Sequence, residues 1–116
     1  MKENLIQQKS FDFALRMVQL YRELVKGSEF ILSKQVLRSG TSIGANVAEA
    51  QAAQSKADFI SKMSIASKEA RETCYWLRLL RDSKTLEKCA VDPLLYEAEA
   101  IVNILTSIVK TSAKNK

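Results

Sequence analysis

Phe59, Met63, Ala66, Ala70, Thr73, Leu77 and Leu80 follow one another in alternating steps of four and three, a heptad seam interrupted by one threonine. That spacing lines one face of a helix of roughly six turns, which must bury the seam against other helices. Ser55 stands where an N-cap belongs, so the spacing predicts a helix over 56–82. A second apolar patch, Ile65, Trp76 and Leu79, lies among Glu69 and Glu72.

The rest of the chain offers the seam partners of its own kind. Only three glycines and one proline interrupt 116 residues, too few for a fold of short strands and turns. In the first segment, over 4–26, Phe11, Phe13, Ala14, Leu15, Met17, Val18, Leu20, Tyr21, Leu24 and Val25 fill an arc of roughly 220°. A helix packed on one side needs a stripe only a little wider than ~100°, so this helix is expected to bury two sides. Gly27 is suited to end it and Ser28 to cap the next. A last segment over 93–111, with Pro93 as first helical residue after an Asp92 cap, carries Leu94, Ala98, Ile101, Leu105 and Ile108; the tail "KTSAKNK" is expected to fray. Four helices with short connections predict an all-α, antiparallel, up-down-up-down four-helix bundle spanning 1–116 as one domain.

The second element is the least obvious. "LRSGTSIGANVAEAQ" holds two of the three glycines, as a loop would. Yet Leu32, Val36, Gly40, Ile43, Val47 and Ala50 form one stripe at helical spacing, and no phosphate-loop glycine pattern or preceding strand is present. The reading is a helix over 29–53, with a kink near Gly40 to Gly44 as an option. Gly40, Gly44, Ala48 and Ala52 recur every four residues, a ridge over which a neighbouring backbone can come close. Arg38, Ser42, Asn46 and Glu49 make a polar strip beside it, expected either to face solvent or to bond Ser64, Ser67 or Glu69 across the seam.

Composition removes most enzyme classes. Histidine is absent, which excludes the His-containing zinc and di-iron motifs and Ser-His or Cys-His nucleophile systems. Cys74 and Cys89 have no metal-ligand spacing and read as reduced packing residues. Glu49, Glu69 and Glu72 supply hard oxygen ligands at most, suited weakly to Mg²⁺ or Mn²⁺. No cofactor motif occurs. No signal peptide or membrane span is legible, and a cytoplasmic protein is expected.

"LRSGTSIGANVAEAQ" followed by "DFISKMSIASKEARETCYWLRLL" resembles the four-helix bundle proteins encoded in intervening sequences of bacterial 23S ribosomal RNA genes. The resemblance covers nearly the whole chain. It is carried by Arg38, Ser42, Ile43, Asn46, Val47, Ala48 and Glu49, and by Phe59, Ala66, Ser67, Glu69, Glu72, Tyr75, Trp76 and Leu77. Where many members have proline after Ser-Ile, this chain has Gly44, and where many have glycine after Ala-Glu it has Ala50. That family is similar to the bundle proteins that accompany diversity-generating retroelement reverse transcriptases. The resemblance implies a left-handed bundle, a homopentameric ring and contact with RNA or DNA, and it supplies no catalytic residue.

The formal charge is +5, with the excess on the first and third segments. Arg71 and Arg78 share one side of the third segment with Ser64 and Ser67, and Lys68 is near; with Arg38, Lys62 and Arg81 they are the candidate phosphate contacts. A ring would repeat such a patch around its circumference. Phe13, Met17, Leu20, Leu24, Trp76 and Leu79 are the candidate interface between subunits. The expected function is a non-enzymatic, oligomeric nucleic-acid-binding protein, with a nucleic-acid-handling enzyme as an expected partner. The alternatives are an adaptor anchored on a protein through Tyr75 and Trp76, and a protein holding a metal on Glu49, Glu69 and Glu72.

Overall fold

The four segments of helical apolar period become four helices, α1 (Lys2–Lys26), α2 (Leu32–Ala50), α3 (Lys56–Asp82) and α4 (Lys88–Lys114). The computed structural model describes residues 2–115, and no strand occurs among them. α1 packs on α2 and α4, α2 on α3, and α3 on α4; among the described residues no Cα atoms of the diagonal pairs come within 8 Å of each other. The molecule measures 48 × 20 × 19 Å, and a helix of 27 residues spans ~40 Å, so α3 and α4 run along its long axis.

The seam of α3 lies where its period puts it. Met63, Ala66, Ala70, Thr73, Leu77 and Leu80 are buried, with Phe59 packed against them. Ser55 caps the helix by accepting the Asp58 N–H at 3.0 Å. Val36, Gly40, Ile43, Val47 and Ala50 of α2, and Leu94, Ala98, Ile101, Leu105 and Ile108 of α4, close the core from the other sides.

On α1 the expected orientation is corrected. Phe13, Met17, Leu20 and Leu24, expected at an interface between subunits, are buried within the bundle at 2%, 0%, 4% and 3% exposure. The apolar arc does exceed what the bundle covers, but the surplus lies at its other edge, where Phe11 and Leu15 stand in solvent. With α2 on one side and α4 on the other, one edge of the arc is drawn inward, its middle is half-covered and the opposite flank is left out.

Helix ends depart from expectation for local reasons. α1 closes through Ser28 N–H to Val25 C=O at 2.9 Å and Glu29 N–H to Leu24 C=O at 2.8 Å, the paired bonds of a left-handed C-terminal turn. The left-handed residue is Ser28, with φ 65°, and not Gly27. Ser28 therefore caps nothing. Glu29 does so instead: its carboxylate accepts the N–H groups of Leu32 at 3.1 Å and Ser33 at 2.6 Å, and of Ile31 at 3.3 Å, so α2 begins at Leu32. Burial pushes the Glu29 carboxyl up, but these backbone bonds outweigh it and hold it below its ordinary value. α2 runs unbroken through Gly40 and Gly44 and stops at Ala50, leaving Ala52 beyond its end.

α4 begins one turn before Pro93, at Lys88, with Glu87 as N-cap and Asp92 inside the helix. Val91, which this extra turn brings in, is fully buried. Pro93 lacks the N–H that would serve the Cys89 carbonyl, a loss least costly in the first turns of a helix and beside an exposed residue. Its exposure also corrects the reading of Cys89 as a packing residue. The segment expected to fray remains helical as far as Lys114.

Candidate functional site

α3 meets α2 through a polar layer and α4 through a mixed one. On the α2 side, Arg38 reaches across to both Glu69, at 3.3 Å, and Glu72. Glu72 Oε2 also accepts the Trp76 indole N–H at 2.9 Å. Deeper, Thr73 Oγ1 lies 2.9 Å from Ser39 Oγ and donates to the Glu69 carbonyl at 2.8 Å, which explains how a threonine sits in the seam without an orphaned hydroxyl. Lys62 Nζ donates to Glu49 at 3.0 Å. Ser42 and Asn46 do not cross the seam; they bond the Arg38 and Ser42 carbonyls of their own helix. Ile43 is buried and Ala48 exposed.

The structure divides the six candidate phosphate contacts into two groups. Arg38 and Lys62 are engaged as above, and Arg81 binds Asp82 at 2.8 Å and Asp92 at 3.1 Å. Hydrogen bonding to Glu49 raises the Lys62 ammonium pKa, and hydrogen bonding to Asp82 raises that of Arg81 and lowers that of Asp82. These three cations have their charge balanced in place and act as cross-helix ties. Glu49, Glu69 and Glu72, the carboxylates offered as metal ligands, are each taken by a cation in the same network.

Lys68, Arg71 and Arg78 are exposed, and none of them has an ion-pair partner among the described residues. Arg71 Nη2 lies 3.4 Å from Thr106 Oγ1 of α4. Arg71 and Arg78 line a shallow groove of about 260 Å³ with Cys74, Glu99 and Val102. Burial raises the Cys74 pKa, so its thiol stays protonated and is a poor nucleophile. Ser67, grouped with these cations by sequence, is buried and does not join them.

Tyr75 completes the outer row. Ser64, Lys68, Arg71, Tyr75 and Arg78 repeat the four-three alternation of the core seam on the exposed side of α3. Tyr75 is 54% exposed, and its ring meets Trp76 edge-on with centroids 5.1 Å apart. Trp76 and Leu79 are half-buried. This displaced seam was the signal by which sequence reading could have placed Tyr75 among the cations. Phe11 belongs to the α1 arc but is not among the interface candidates, because the arc alone does not say which flank is left out; it lines a groove of about 620 Å³ with Ala14, Gly44, Ala45 and Ala48.

Residues 2–107 match the family model described as 23S rRNA-intervening sequence protein. The chain is similar to a solved protein of unknown function from the S23 ribosomal protein family of Bacteroides thetaiotaomicron VPI-5482. The two share 50% identity over 95% of this chain and 99% of that one, with a TM-score of 0.92. No curated protein sequence matches the chain. No helix of the described residues is long and apolar enough to cross a membrane.

Proposed function

The chain belongs to the 23S rRNA-intervening sequence protein family, and we propose that it is a non-enzymatic, cytoplasmic bundle that self-associates and holds the backbone of RNA or DNA. The observation that carries this reading is the row of Lys68, Arg71 and Arg78, exposed cations without ion-pair partners among the described residues, where the other candidate cations are tied to carboxylates. Spaced cations with serine and threonine hydroxyls nearby suit phosphate contact, and nothing in the row resembles a device for reading base edges.

Self-association is supported by Phe11 and Leu15, which are 61% and 51% exposed in a single chain. Water penalises such a face, and a second copy covers it. The closed cycle of helix contacts supports an up-down-up-down order. The left hand of the bundle and the ring of five come from the family resemblance. A nucleic-acid-handling enzyme is the natural client of such a ring.

Purification from the native host at low salt tests the reading. Nuclease-sensitive material absorbing at 260 nm should accompany the protein and leave it as salt is raised. A nuclease-resistant protein partner in its place would favour an adaptor anchored through Tyr75 and Trp76.

A further inference from the structure

We infer that the exposed row of α3 is a site for single-stranded nucleic acid, in which a base stacks on Tyr75 while Lys68, Arg71 and Arg78 hold the flanking phosphates. The inference rests on the nucleic-acid reading above and adds the form of the ligand. Backbone contact alone would not need an aromatic ring. Here a tyrosine with half its surface in solvent stands in the cationic row, one helical turn from Arg71 and one from Arg78. A duplex presents phosphates to such a row but keeps the faces of its bases stacked inside. An unpaired strand offers both, and alternating cations and aromatic rings is how single strands are bound without regard to sequence.

The ring has a supported neighbour on one side. Trp76 meets Tyr75 edge-on at 5.1 Å, its indole N–H is bonded to Glu72, and Glu72 is held in turn by Arg38 from the neighbouring helix. A neighbour that limits the motion of a stacking ring lowers the entropy lost on binding. The acidic groups around the row are placed compatibly. Glu72 is paired with Arg38 and Asp82 with Arg81. Glu99 of α4 shares the groove with Arg71 and Arg78, so its charge turns a strand away from the α3–α4 groove and onto the outer face that carries Tyr75. From Lys68 to Arg78 the row extends ~15 Å, a binding site of a few nucleotides.

Trp76 is the only tryptophan, so its emission reports on this site directly. Twelve-nucleotide oligouridylate and oligothymidylate, and a twelve-base-pair duplex, are titrated at low salt into the wild type, Tyr75→Leu, Tyr75→Phe and the Arg71→Ala/Arg78→Ala double variant, each checked by circular dichroism. Single strands should change Trp76 emission and bind about tenfold more tightly than the duplex. Tyr75→Leu should weaken single-strand binding about tenfold with an unchanged salt slope, and Tyr75→Phe should retain it. The double variant should flatten the slope. Duplex binding as tight as single-strand binding, or Tyr75→Leu binding like wild type while the double variant weakens, overturns the stacking site and leaves the backbone reading standing. Absence of binding to every oligonucleotide overturns both.

Discussion

A Cβ built on Gly44 would stand 3.2 Å from the carbonyl oxygen of Ser10 and 3.4 Å from its carbon, so α1 crosses α2 with its backbone against the glycine. At Gly40, one turn earlier, the Cβ would stand 2.4 Å from Met17 Cγ, inside the core. The small-residue ridge is therefore a packing surface over these two positions, while Ala48 is exposed and Ala52 lies past the helix end. Mid-helix glycine costs about 1 kcal/mol against alanine, and the close crossing offsets it. Gly44→Leu pushes against backbone that has no rotamer to change, and should destabilise the protein by about 1 to 3 kcal/mol in a denaturant melt. An unchanged midpoint would mean that the two helices do not meet there.

The α1–α2 turn places its left-handed residue one position after its glycine. Ser28 has φ 65°, and a Cβ on Gly27 would meet only ordinary contacts at 3.6 and 3.7 Å. Ser28→Gly should gain up to about 1 kcal/mol by relieving the left-handed conformation, and Gly27→Ala should gain about 0.4 to 1 kcal/mol through the unfolded chain. Thermal melts of the two variants and their combination should rise in sequence.

Glu29 makes the start of α2 sensitive to acid. Its folded pKa lies below the ordinary 4.5, so its contribution is complete above the unfolded value and is lost as pH falls through the folded one. Glu29→Gln should cost about 1 kcal/mol at neutral pH, the worth of a helix cap. The gap to wild type should close as melts are taken below pH 4.5.

The two flanks of α1 should respond differently to charge. Phe11→Glu with Leu15→Glu, both at exposed positions, should leave the helical spectrum intact and lower the mass seen by sedimentation towards 13.0 kDa. Leu20→Glu buries a carboxylate and should unfold the chain instead. A wild type already running at 13.0 kDa would remove the basis for a ring.

How much of this was legible follows from where the information lies. α3 was readable with its cap because the seam and Ser55 are local, and α2 was readable through its glycines because Val36, Ile43 and Val47 keep helical time across them. The inward edge of α1 was not, because an arc of ~220° has two flanks and only the positions of α2 and α4 choose between them. α4 was begun too late because Pro93 was weighed by its preference for first position, against the burial of Val91 one turn earlier. The largest loss was at the site. Arg38 stands on the strip read as able to bond Glu69 across the seam, and it does so, but it was also counted among the phosphate contacts, and its second partner Glu72, 34 residues away, comes beside it only in the fold. Lys62 and Arg81 go the same way. Lys68, Arg71 and Arg78 are separated from them only by the side of α3 they occupy.

The salt dependence of oligonucleotide binding tests that separation most directly. Log affinity falls linearly with log salt, with a slope set by the phosphates neutralised. Affinities of wild type, Arg71→Ala/Arg78→Ala and Lys62→Ala for one oligonucleotide are measured across a salt series. The double variant should lose about two contacts from the slope, with weaker binding to every sequence tried, and Lys62→Ala should keep the wild-type slope because that charge is already balanced by Glu49. A slope unchanged by the double variant, or a wild type that binds nothing at low salt, would contradict the account.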